Sequence, residues 1–139
     1  MAGIIVVFPK PEDSKAIKNL LVHNGYESVF NCTTGSKAIT LADTLGEGVI
    51  ISGYRMTDMP YTDILDNVEG RFEMLLVASK QKLLEDNRGV AMVEMPIKVR
   101  DFLNSVELMQ NNIYAKLRRK KRVVHQRTED CLLYTSDAA

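Results

Sequence analysis

The chain has no tryptophan, and only two histidines and two cysteines. Cys32 and Cys131 are too few for a disulfide scaffold and lack the spacing of metal ligands. Nucleophilic catalysis needs a serine or cysteine with a histidine in reach. Of the two candidates, His23 falls at the end of a helical pattern and His125 lies in a basic tail, so hydrolase chemistry is poorly supplied. Long apolar runs are also missing. The longest, Ile4 to Phe8, is far short of the ~20 residues of a membrane span. No charged start followed by an apolar stretch and a small-residue cleavage site marks a signal peptide. The expected setting is cytoplasmic, with no membrane partner. Neither GxGxxG nor GxxxxGK[ST] occurs, which removes the two main glycine-rich phosphate cradles.

What is present is unevenly distributed. Basic and acidic residues balance over the 139 positions, but residues 1–114 hold 11 basic against 15 acidic side chains. Residues 115–127 hold seven basic and no acidic ones, and residues 128–139 three acidic and no basic ones. An acidic body is therefore followed by a cationic segment and a short acidic end. With 45% hydrophobic and 26% charged residues, the body has the composition of an ordinary globule rather than a disordered chain. Its length suits one domain.

Along the body, runs of apolar β-branched residues alternate with helical spacing. Gly3 to Phe8 reads as a strand buried on both faces, stopped by Pro9 and Pro11. Residues 12–24 have helical spacing through Ile17, Leu20 and Leu21, with Glu12 and Asp13 in the first turn, where the dipole favours acids. Glu27 to Phe30 is a short strand, 34–45 a helix closed by Gly46 and Gly48, and Gly48 to Gly53 a third strand. Tyr61 to Val68 gives two helical turns, Phe72 to Ser79 a strand, Lys80 to Arg88 a polar helix and Gly89 to Glu94 a fifth strand. From Ile97 a long helical pattern runs to about residue 122. Five strand–helix units predict an α/β fold, a five-stranded doubly wound parallel sheet of flavodoxin-like type with an extended last helix.

In such a sheet, function gathers beyond the carboxyl ends of the strands, here Phe8–Pro11, Ser52–Met59, Ala78–Lys80 and Glu94–Pro96. The first turn carries two prolines, which have no N–H to offer an anion. That disfavours a flavin- or nucleotide-binding enzyme. Glu12 and Asp13 are better read as helix-start acids than as metal ligands. Met56, Met59, Met74, Met92 and Met95 are expected to fill gaps in the core and loops. No catalytic, cofactor or metal residue is assigned, and no enzymatic activity or cofactor is expected.

Four segments, in this order and spacing, carry a likeness. They are Asn24-Gly25-Tyr26-Glu27, Cys32-Thr33-Thr34-Gly35, Gly53-Tyr54-Arg55 leading to Asp58-Met59, and Phe72 to Ser79, followed by Met95-Pro96. Over about residues 3–110 the chain resembles a response-regulator (CheY-like) receiver domain, most closely the receiver half of ANTAR-type transcription antitermination regulators. The resemblance implies a phosphoacceptor carboxylate after the third strand, metal-binding acids after the first, a Ser or Thr after the fourth and a Lys after the fifth. Aligned on Asp58-Met59, the acceptor position is Gly53, the hydroxyl position is Ala78 and the lysine position is Met95; Met92 stands near the switch aromatic. No carboxylate lies at Phe8–Lys10. The expectation is a degenerate, non-catalytic receiver, with a histidine kinase not expected as its partner. The alternative is a phosphorylatable receiver with Asp58 as the nearby carboxylate.

Val99, Phe102, Val106, Met109, Ile113 and Leu117 form an apolar seam. Its second half, Val106, Met109, Ile113 and Leu117, either forms a homodimer interface in a short coiled coil or packs within the domain. Arg118, Arg119, Lys120, Lys121 and Arg122 could contact nucleic-acid phosphates without sequence preference, so a nucleic-acid module working through residues 116–122 is a further alternative. The resemblance implies an RNA-binding output domain that is not in this chain. The expected division is a receiver-like domain at 1–112, a basic helical linker at 113–130, and a tail at 131–139 that reads as adaptor-derived.

Overall fold

The computed structural model describes residues 3–68, 70–85 and 90–113. The strands are β1 (Gly3–Val7), β2 (Val29–Cys32), β3 (Gly48–Ser52), β4 (Phe72–Ala78) and β5 (Ala91–Glu94). Between them lie α1 (Pro11–His23), α2 (Gly35–Leu45), α3 (Tyr61–Val68) and α4 (Lys80–Glu85). A final helix, α5, is described over residues 99–113. The strands form one sheet in the order β2-β1-β3-β4-β5, and every pairing is parallel.

Alternation along the strands sorts the apolar residues into two cores. Ile5 and Val7 of β1, Ile50 of β3, and Phe72, Met74 and Leu76 of β4 face α2 and α3, meeting Ala38, Ala42, Tyr61, Ile64 and Val68. Ile4, Val6, Val49, Ile51, Leu75 and Val77 face the other way, against Ile17 and Leu21 of α1 and Phe102, Val106 and Met109 of α5. Burial on both faces is why β1 and β3 are continuous apolar runs.

The start of the sheet is fixed by a glycine pair. Gly48, at φ 151°, lies opposite Gly3, and a Cβ there would meet Gly3 backbone atoms. Only a residue without a side chain lets the two strands begin side by side.

Two expectations need correction, and one left open is narrowed. The second strand is Val29–Cys32, two residues later than the pattern predicts. The chain first closes α1, with Tyr26 N donating to Leu21 O, and then enters the ladder opposite Ile4. Met56, Met59 and Met74 do pack into the interior, but Met92 and Met95 stand 41% and 44% exposed. β5 is an edge strand, and only Val93 of its four residues turns partly inward. Of the two uses left open for the seam of the last helix, the described residues show packing within the domain: Val106 and Met109 are buried against the sheet and Ile113 is buried too. Leu117 and residues 118–122 lie outside the described residues.

Candidate functional site

Strand order reverses at β1, since the chain passes from β1 to β2 on one side and to β3 on the other. A doubly wound sheet opens its crevice there, beyond the carboxyl ends of β1 and β3. The ladder reaches the mouth: Val7 pairs with Ser52, Gly53 N donates to Val7 O at 3.0 Å, and Phe8 N donates to Cys32 O at 3.3 Å. Residues 8 and 53 are therefore neighbours across the crevice.

What fills that crevice is hydrocarbon. Phe8 and Gly53 are both buried, and a Cβ placed on Gly53 would stand 3.1 Å from Phe8 Cδ2 and 3.5 Å from Met56 Cε. The Phe8 ring thus covers the position where the resemblance puts an acceptor side chain. On the β4 side, Ala78 offers a methyl group and Ser79 faces solvent, where its Oγ accepts from Lys82 N at 3.4 Å. On the β5 side, Met95 N donates to Ala78 O at 2.9 Å, which sets the exposed Met95 at the rim ahead of a cis Met95–Pro96 bond. Ser52, which points toward α2 and α3, is fully buried and donates its Oγ proton to Gly53 O at 2.8 Å. Glu12 and Asp13 are exposed in the first turn of α1. Among the described residues no three His, Cys, Asp or Glu side chains come together as a metal site. The four sequence-derived positions Gly53, Ala78, Met92 and Met95 accordingly bring no ionisable group into the crevice.

The loop from Gly53 to Pro60 is closed on itself and then fastened to α2. Met56 N donates to Met59 O, Tyr61 N to Tyr54 O, and Arg55 bridges Pro60. The Tyr54 ring stacks on Tyr61 at 5.7 Å with the planes 47° apart, and Lys82 Nζ lies 4.9 Å from its centroid. Asp58 crosses to the N-terminus of α2. Its Oδ1 accepts from Gly35 N at 2.8 Å, and its Oδ2 accepts from Ser36 N at 3.0 Å and from Ser36 Oγ at 2.9 Å. Thr34 Oγ1 takes the next amide, Lys37 N. Side chains therefore satisfy the first three amides of the helix, two of them from a carboxylate 22 or 23 residues away. The close approach needs Gly35, because a Cβ there would run into the Met59 side chain.

The Gly35 amide, then the Ser36 amide, hold the Asp58 carboxyl below its ordinary value. A carboxylate whose folded pKa is depressed adds stability above its unfolded pKa and loses that contribution as pH falls through the folded one. Asp58→Asn is therefore expected to unfold more easily than the unsubstituted chain at neutral pH, with the gap narrowing as pH drops below the carboxylate range. Urea midpoints across an acid pH series check this; a gap that stays constant would show that charge is not involved. Cys32, buried at the end of β2, has its thiol pushed up to about 11 by desolvation, so it is a packed side chain with little thiolate at neutral pH. His23 closes the last turn of α1 in the open.

No family profile matches the sequence, and no curated protein matches it. Solved structures do. A two-component transcriptional regulator AraC from Clostridium phytofermentans superposes with a TM-score of 0.74 at 14% identity, covering 84% of this chain and 98% of that one. A CheY-like response regulator receiver domain from Methanospirillum hungatei gives 0.70 at 18% identity, covering 82% and 98%. The chemotaxis response regulator CheY4 of Vibrio cholerae gives 0.67 at 18% identity, covering 78% and 98%. With its 2-1-3-4-5 parallel sheet, this chain has the CheY-like receiver fold of two-component response regulators.

Proposed function

We propose that this domain is a pseudo-receiver: a regulatory module of a bacterial response regulator that works without an aspartyl phosphate. The observation that carries the reading is the Phe8 ring packed over Gly53. Phosphoryl transfer to a receiver needs a carboxylate nucleophile, acids to hold Mg²⁺, and a cation for the transferring oxygens. The acceptor position has no side chain, the strand-one turn offers Phe8 and Pro9, and Met95 cannot balance charge. The segment likeness to ANTAR-type regulators supports an RNA-binding antitermination domain as the output, reached through α5. A histidine kinase has nothing to act on in such a domain. Residues 118–122 would add at most a weak, salt-dependent hold on RNA.

The test is incubation with acetyl phosphate and Mg²⁺ followed by intact-mass measurement. No adduct is expected. A stoichiometric, base-labile phosphoryl adduct would return the protein to the phosphorylatable class. Its location would then decide the acceptor, with Asp58 as the first candidate. Asp58 is a poor nucleophile as it stands, because both its oxygens already accept hydrogen bonds from the start of α2.

A further inference from the structure

The turn that joins α1 to β2 contains the one Asn-Gly pair of the sequence, Asn24-Gly25. Both residues are exposed, and nothing lies within 4 Å of where a Gly25 side chain would be. Asn-Gly is chemically the most labile asparagine context, because glycine leaves its own amide nitrogen unhindered. We infer that Asn24 is a latent site of spontaneous deamidation, opened by fraying of the last turn of α1.

The step needs only water and hydroxide. Hydroxide removes the Gly25 amide proton, the nitrogen forms a bond to Asn24 Cγ, and Nδ2 leaves as ammonia, closing a succinimide. Water then adds to either imide carbonyl and gives an aspartate or an isoaspartate at position 24. In the folded chain, hydrogen bonds to α1 hold both reacting groups. Asn24 Nδ2 donates to Leu20 O at 2.8 Å, and Gly25 N donates to Val22 O at 3.1 Å. Asn24 N itself caps the helix through Leu21 O at 3.0 Å. The nucleophile keeps its proton and the amide keeps its orientation until this turn opens. Helix ends are the cheapest part of a fold to open.

The product matters to the fold. A carboxylate has no proton to give Leu20 O, and it sets a negative charge at the C-terminal end of the α1 dipole. It also adds charge two residues before Tyr26, whose phenol already has its pKa raised, first by burial and then by Glu107 of α5. Deamidation thus loosens the end of α1 beside the last helix.

The experiment incubates the full chain in mildly alkaline buffer, folded and in concentrated urea, with peptide mapping and isoaspartate methylation as readouts. Conversion at position 24 is expected in both, about tenfold slower in the folded chain. Equal rates would overturn the gating, and a folded chain left intact over several half-lives of the unfolded one would overturn the site. In low urea the folded rate should stay flat, as local fraying requires; a rise in step with global unfolding would overturn the role of the helix end. Asn24→Asp tests the consequence directly, with a thermal midpoint about 3–6 °C lower expected. An unchanged midpoint would overturn the assignment of the Asn24–Leu20 bond as a working cap.

Discussion

Gly53→Asp is expected to destabilise the domain by about 2 kcal/mol or more and to leave it without a phosphoryl adduct. At this position the new Cβ alone comes within 3.1 Å of the Phe8 ring, and the carboxyl group extends beyond it. Two outcomes are open to the chain. It can bury an unpaired carboxylate against an aromatic ring, which costs several kcal/mol or drives the group to its neutral form. Or it can expel Phe8 into water, forfeiting roughly 2 kcal/mol of apolar burial. The companion substitution makes the argument specific. Phe8→Ala alone leaves a cavity and should cost about 3 kcal/mol. In the double variant the carboxyl group occupies the space the ring vacated, so the combined loss should be smaller than the two single losses together by about 1 kcal/mol or more. Urea unfolding of the four proteins of this cycle measures the coupling. Additive losses would mean that ring and glycine do not share one space.

Phe102→Ala should produce a larger loss, about 3–5 kcal/mol. Phe102 is fully buried between α5 and the sheet, in one cluster with Ile4, Val6, Val49 and Leu75. The substitution decides between the two uses of the α5 seam. If Phe102, Val106 and Met109 stabilise this domain from within, the unfolding midpoint drops and does not depend on protein concentration. A seam shared between two chains would make the midpoint concentration-dependent. Leu108 is the control. It is 63% exposed on the outer side of the same helix, and Leu108→Ala should change stability by no more than about 0.5 kcal/mol. A homodimer through α5 would have to engage residues such as Leu108, since the seam itself is already occupied.

The architecture could be read from periodicity because its elements are locally consistent. Gly3 to Phe8 is too apolar and β-branched for anything but a strand buried on both faces. Ile17, Leu20 and Leu21 repeat as a helix lying on a sheet must. Errors arose where a non-local partner decides. β2 begins at Val29 because its register against Ile4, and not its own composition, sets where pairing starts. Met92 and Met95 are exposed because β5 is the last strand in the sheet, a fact of strand order that no local window contains. Of the site, the lack of acids could be read from the sequence directly. That Phe8 packs against Gly53 could not, because residues 8 and 53 meet only through the Val7–Ser52 register. The Asp58 cap was equally hidden. Nothing around Thr34 or Gly35 announces a carboxylate more than 20 residues away.

That cap also bears on the electropositive end of α2. A helix start that faces solvent is a standing invitation to phosphate and other anions. In this protein the seat is taken by a tethered competitor, present at the high effective concentration of an intramolecular group. A free anion would have to outbid a carboxylate already held by two backbone amides and a hydroxyl. At the rim of this sheet, then, a ring stands beside Gly53 and a tethered carboxylate occupies the amides that start α2.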